Sequence, residues 1–160
     1  MSFTKQKPIW YVIGCIGLAL FGGVPCIGVG AAIAIPSFVS YTRRAKTAEA
    51  RANLMALASG VRAACEAPGG ALPDALGPTL ASPSSERQVP TLDPRWSALG
   101  LAADPSYYAY SIERPDATTA MIVAVGDLDG DGERSRFART CTASAGACTC
   151  GEIEVTNELE

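Results

Sequence analysis

The stretch Gly30-Ala31-Ala32-Ile33-Ala34-Ile35-Pro36-Ser37-Phe38, followed closely by a basic, Ala-rich run from Arg43 to Arg62, decides how this chain is organised. It closes a segment of 35 residues, between Lys7 and Arg43, that carries no charge. About 20 apolar residues cross a bilayer core, so residues 9–39 are long enough to be a transmembrane helix even with a kink. Trp10 and Tyr11 fall where an interfacial aromatic belt would sit. Gly22-Gly23-Val24-Pro25 and Pro36 are the expected kink sites, because each proline removes a backbone hydrogen bond. Four regions follow: a cytoplasmic tail at 1–8, the transmembrane helix at 9–39, its amphipathic continuation at 40–66, and a head at 67–160.

Beyond Pro36, apolar or small residues recur every three or four positions. Phe38, Tyr41, Ala45, Ala48, Ala52 and Met55 form one helical stripe, and Leu54, Leu57, Ala58, Val61 and Cys65 form a second, offset from it. The simplest account is a helix whose later half packs on its own head while its earlier half meets something else. Pro68-Gly69-Gly70 ends it. Residues 67–94 are rich in Pro, Gly and Ser and read as an irregular surface loop. Asp93 and Pro94 are placed to cap and open a short helical turn that plugs Trp96 and Leu99 into the core. Tyr107–Glu113 and Thr118–Val125 read as antiparallel strands, with Arg136–Cys141 and Glu152–Thr156 as the third and fourth. The predicted fold class is α+β: one long N-terminal helix packed on a small antiparallel sheet.

Charge is distributed unevenly. Residues 43–66 carry five Lys/Arg against Glu49 and Glu66, whereas residues 67–160 carry six Arg against fourteen Asp/Glu, a net −8. An acidic head argues against nucleic-acid binding, since phosphates need clustered Lys/Arg. The basic neck suits anionic headgroups or the acidic face of a neighbouring subunit. There is no histidine, and no Gly-rich phosphate loop or Gly-x-Ser-x-Gly elbow, so an enzyme and a small-molecule substrate are not expected.

Six cysteines divide by position. Cys15 and Cys26 lie in the apolar segment. Cys65, Cys141, Cys148 and Cys150 belong to the head, and an even count there points to disulfides in an oxidising compartment. A bond between Cys148 and Cys150 would be strained, so Cys141 is expected to pair with one of them and Cys65 with the other. The rival reading is a four-cysteine zinc site, but the C-x6-C-x-C spacing lacks the usual knuckle.

Residues 14–66 resemble the type IV pilins and pseudopilins, in the run Ala31–Phe38 and the neck Tyr41–Leu54. Trp96–Gly100, Tyr107–Tyr110 and Gly126–Gly132 add a weaker likeness to the heads of some pilin-like proteins. The resemblance implies a pilin-like fold, with subunits assembling through the hydrophobic helix into a pilus, a pseudopilus or a related envelope assembly. Its partners would be the membrane and other pilin-like subunits. Such precursors are cut after a glycine, usually before phenylalanine, with a glutamate close behind. Here Gly14 holds the glycine position, Cys15 follows it, and Ala19 stands where the glutamate would be, so the bond Gly14–Cys15 is expected to stay uncut. Val12-Ile13-Gly14-Cys15 also has the form of a lipobox, with too short an apolar run before it. Lys5 and Lys7 against the basic neck leave the positive-inside rule undecided. The cysteines and the resemblance favour a single-pass inner-membrane protein with its head in the periplasm or on a filament.

Asp127-Leu128-Asp129-Gly130-Asp131-Gly132 puts carboxylates at positions 1, 3 and 5 of an EF-hand-like loop, with glycine at 6. Glu133 would offer its carbonyl at position 7 and Ser135 a water at 9. Position 12 is Ala138, so Glu113, Glu152 or Glu154 would have to complete a Ca²⁺ shell. The plainer reading is a hairpin turn. The alternative function is an uncleaved single-pass binding protein whose extracytoplasmic head is stabilised by calcium.

Overall fold

The computed structural model describes residues 24–159 together with Ile13 and Gly17, and the side chains of the first helix from Ala32 onward. Helix α1 spans Val24–Glu66 and helix α2 spans Pro94–Ala98. Strands β1 (Tyr108–Asp116), β2 (Thr119–Gly126), β3 (Ser135–Ser144) and β4 (Ala147–Thr156) follow. They form an antiparallel meander in the order β1-β2-β3-β4. The fold is α+β, a long N-terminal helix with a four-stranded antiparallel sheet, and the chain divides into two units between Tyr41 and Thr42.

In the first unit α1 continues through Pro36. The proline ring removes one helical donor. The Ser37 and Ser40 hydroxyls donate back to the carbonyls of Ile33 and Pro36, at 2.9 and 3.0 Å. Every side chain from Ala32 to Tyr41 is exposed, with Phe38 at 68% and Tyr41 at 71%. Among the described residues no helix is long and apolar enough to cross a membrane. The expected single-pass inner-membrane localisation is corrected on that finding. The 1–8 tail, the Gly14–Cys15 bond and the 9–23 part of the expected span, apart from Ile13 and Gly17, lie outside the described residues.

In the second unit the later stripe of α1 is the buried one. Leu54, Leu57 and Val61 are fully buried, and Ala58 and Cys65 nearly so. They share one core with Tyr108, Tyr110, Ile112, Ile122, Phe137 and Cys141 of the sheet. The earlier stripe stays outside: Ala45, Ala48, Ala52 and Met55 are all exposed. Asp93 caps α2 by accepting from the Arg95 N–H at 2.9 Å, and Trp96 and Leu99 are buried as the capping pattern predicts. Here α2 approaches α1 so closely that a Cβ at Gly60 would collide with the Leu99 carbonyl.

β1 and β2 each begin one residue later than predicted, and the other strand limits match the predicted ones or lie beyond them. Arg114 and Pro115, beyond the predicted end at Glu113, continue β1 through an irregularity between Glu113 and Asp116. β4 begins at Ala147 rather than Glu152, so all three C-terminal cysteines lie on strands. A register shift between Arg139 and Cys141 marks a bulge against β4. The outer edge of β1 is covered by the loop before it. Leu76 and Ile112 exchange N–H···O bonds of 3.0 Å, and Thr79 donates to the Tyr110 carbonyl at 2.9 Å. Among the described residues nothing pairs with the outer edge of β4.

Candidate functional site

The loop joining β2 to β3 carries the acidic motif. Gly130 and Gly132 both hold positive φ, 81° and 95°, which turns the backbone tightly enough to bring alternate side chains together. One carboxylate oxygen each from Asp127, Asp129 and Asp131 lies within 4.8 Å of the others. Asp127 is buried and accepts from the Gly130 N–H at 2.7 Å, which fixes its direction; Asp129 and Asp131 are exposed. Oxygens 2.3–2.6 Å from one Ca²⁺ would be no more than about 5 Å apart, so this spacing fits a single hard cation. The cluster can hold a metal ion.

The remaining sequence candidates are elsewhere. Glu133 is exposed and donates its N–H to Asp131 Oδ1 at 2.7 Å, outside the carboxylate group. Ser135 is fully buried at the start of β3, with its hydroxyl 3.4 Å from the Gly126 carbonyl. Glu113 pairs with Met121, toward the far end of β2, and Glu154 pairs with Ala138 on β3. Neither these two nor Glu152 belongs to the carboxylate group. The negative charge is met instead from α1. Arg43 Nη2 donates to Asp129 Oδ2 at 2.8 Å, and Lys46 Nζ reaches the Leu128 and Ser85 carbonyls at 3.5 and 3.2 Å.

A second polar constellation, which sequence reasoning missed, sits one turn further along α1. Glu49 Oε1 accepts from the Ser106 hydroxyl at 2.6 Å and the Tyr107 N–H at 3.2 Å, while Oε2 accepts from Arg87 at 2.9 Å. Two cations approach the Tyr107 ring, with Lys46 Nζ 4.5 Å and the Arg87 guanidinium 5.1 Å from its centroid. Asn53, one turn on, donates to the Tyr110 hydroxyl at 2.8 Å. Burial pushes the Tyr110 phenol up to about 12, against the opposing pull of the Asn53 bond. The Tyr108 phenol is likewise pushed up to about 12 by burial. Glu49, Asn53, Arg87, Ser106 and Tyr110 line a cavity of about 230 Å³ with Thr79, Asp104 and Leu101. Pockets for drug-sized ligands measure roughly 300–1,000 Å³, and this one is smaller. The available signal was Glu49 itself, the sole acid between Arg43 and Arg62.

The four head cysteines form two bonds, Cys65–Cys148 and Cys141–Cys150. The first ties the end of α1 to β4, and the second joins β3 to β4 beside the bulge. This is one of the two arrangements the spacing left open. No protein-family model, no curated protein and no solved structure matches the chain.

Proposed function

We propose that the chain is a structural, pilin-like subunit that assembles with copies or relatives of itself through α1, and that it performs no catalysis. The observation that carries this reading is the uncovered apolar surface of the helix. Ile33, Ile35, Phe38 and Tyr41 are each more than 60% exposed, and Met55 is 55% exposed. Burying a side chain of that size yields about 1.5–3 kcal/mol, so leaving these in water is costly unless another surface covers them. Small residues between them, Ala45, Ala48 and Ala52, permit close helix approach. The two disulfides support an oxidising, extracytoplasmic setting.

Sedimentation of the full chain tests the reading. Wild type should run as a concentration-dependent oligomer, and Phe38→Glu with Tyr41→Glu should shift it to monomer while leaving head stability unchanged. A wild-type monomer at all concentrations would remove the proposal.

A second reading, favoured by the three converging aspartates, is a head stabilised by Ca²⁺. A cation bound only by the folded state raises stability as RT ln(1 + [L]/Kd). With no twelfth-position glutamate, affinity is expected on the order of 10⁻⁴–10⁻³ M. Melting temperature should therefore rise in millimolar Ca²⁺ relative to chelator, and Asp127→Asn should reduce the rise. Equal melting in both conditions leaves the loop as a turn.

A further inference from the structure

We infer that the outer edge of β4 is a docking edge for an extended segment of another protein, one that alternates basic and apolar residues. The two edges of this sheet are treated differently. β1 is sealed by Leu76 and Thr79 through backbone hydrogen bonds, whereas β4 has no such cover among the described residues. An open edge presents a row of N–H and C=O groups, which is the template for strand addition. β4 is ten residues long, ample for a stable added strand.

The surroundings select the occupant. A groove of about 430 Å³ runs beside the edge, between Arg51 and Met55 of α1 and Gly151–Ile153 of β4. Met55 is 55% and Val155 36% exposed, so apolar side chains of an incoming strand have surfaces to cover. The arginines of the groove are engaged: Arg51 pairs with Glu158 at 2.7 Å, and Arg139 donates to the Gly151 carbonyl at 2.8 Å. Glu152 and Glu154 are exposed on the same strand and form no ion pair among the described residues. The uncompensated charge along the edge is therefore negative. Two copies pairing β4 to β4 would set these acids against each other, and the bulge near Gly151 would break their register. A strand bearing Lys or Arg at alternate positions meets complementary charge instead. This proposal and the assembly reading share Met55, but the edge itself belongs to β4 and the assembly rests on Ile33, Ile35, Phe38 and Tyr41, so Phe38→Glu with Tyr41→Glu and Glu152→Lys with Glu154→Lys test the two contacts separately.

The test is amide hydrogen exchange on the oxidised full chain, with a short alternating Lys-Val peptide as probe and an alternating Glu-Val peptide as control. The Lys-Val peptide should slow exchange at alternate amides of β4, and the effect should weaken in high salt. Changing both Glu152→Lys and Glu154→Lys, exposed positions that leave the core intact, should weaken its binding about tenfold and strengthen that of the control. Equal binding of the two peptides, or protection confined to other elements, would overturn the inference. Protection of β4 without any peptide, rising with protein concentration, would assign the edge to a second copy and overturn it as well.

Discussion

Glu49 shows what one side chain does in this molecule. Its two oxygens gather the Ser106 hydroxyl, the Tyr107 N–H and the Arg87 guanidinium, from segments 38 to 58 residues away. Removing its charge while keeping its shape leaves those donors poorly matched, and a hydrogen bond to a charged group contributes about 1.5–3 kcal/mol. Glu49→Gln should lower unfolding free energy by about 1–3 kcal/mol in urea titration. Exchange should quicken at the Tyr107 amide before it does at β2. The buried phenols set a limit at high pH. Tyr108 and Tyr110 keep their protons to about 12 in the folded chain, whereas an unfolded tyrosine loses its own near 10. Their contribution is complete below pH 10 and disappears as pH rises toward 12, because only the unfolded state releases protons in that window. Melting temperature should fall steeply between pH 10 and 12, and Tyr110→Phe should flatten the fall. A melting temperature indifferent to pH across that range would contradict the burial assigned to both rings.

At the scale of elements, Gly60 sets how closely α1 and α2 approach. Alanine is the better helix former by about 1 kcal/mol, so propensity alone favours Gly60→Ala. The Leu99 carbonyl occupies the space its methyl needs, and overpacking of that kind costs typically 1–3 kcal/mol. The variant should be less stable than wild type in thermal melts, with Trp96 fluorescence changing as α2 is displaced. The helix and its inward stripe were legible because Leu54, Leu57, Ala58, Val61 and Cys65 repeat at helical spacing. The strands were legible because Tyr108, Tyr110 and Ile112 alternate, and their ends were not, because Pro115 and the Cys148–Cys150 stretch resemble turn sequence. The cover over β1 had no sequence signal. Leu76 and Thr79 act through backbone groups that any residue carries, inside a loop without periodicity.

For the whole molecule, the acidic loop could be read directly from Asp-x-Asp-x-Asp-Gly spacing, since its carboxylates are neighbours in sequence. Its contact with Arg43 joins positions 86 residues apart and depends on where α1 lies over the sheet. No local pattern encodes that. The Cys65–Cys148 bond, which closes a separation of 83 residues, was half legible: the cysteine count required a long-range partner, and the strand register chose which. Cys65→Ser with Cys148→Ser should cost about 2–4 kcal/mol in denaturant, a larger loss than removing the local Cys141–Cys150 bond. The same bond has a mechanical consequence. Tension applied between the early part of α1 and the C-terminus passes from Cys65 through sulfur into β4, and the chain between them carries no load. The acidic loop, the β1 cover and the Glu49 seam all lie within that shielded length or lean on it. Stretched singly, the oxidised protein should release on the order of 300 Å less contour than the reduced one, at 3.3–3.6 Å per residue over the bridged segment. Pulled along its helix, the chain would thus keep the segment between Cys65 and Cys148 free of load for as long as one covalent bond survives.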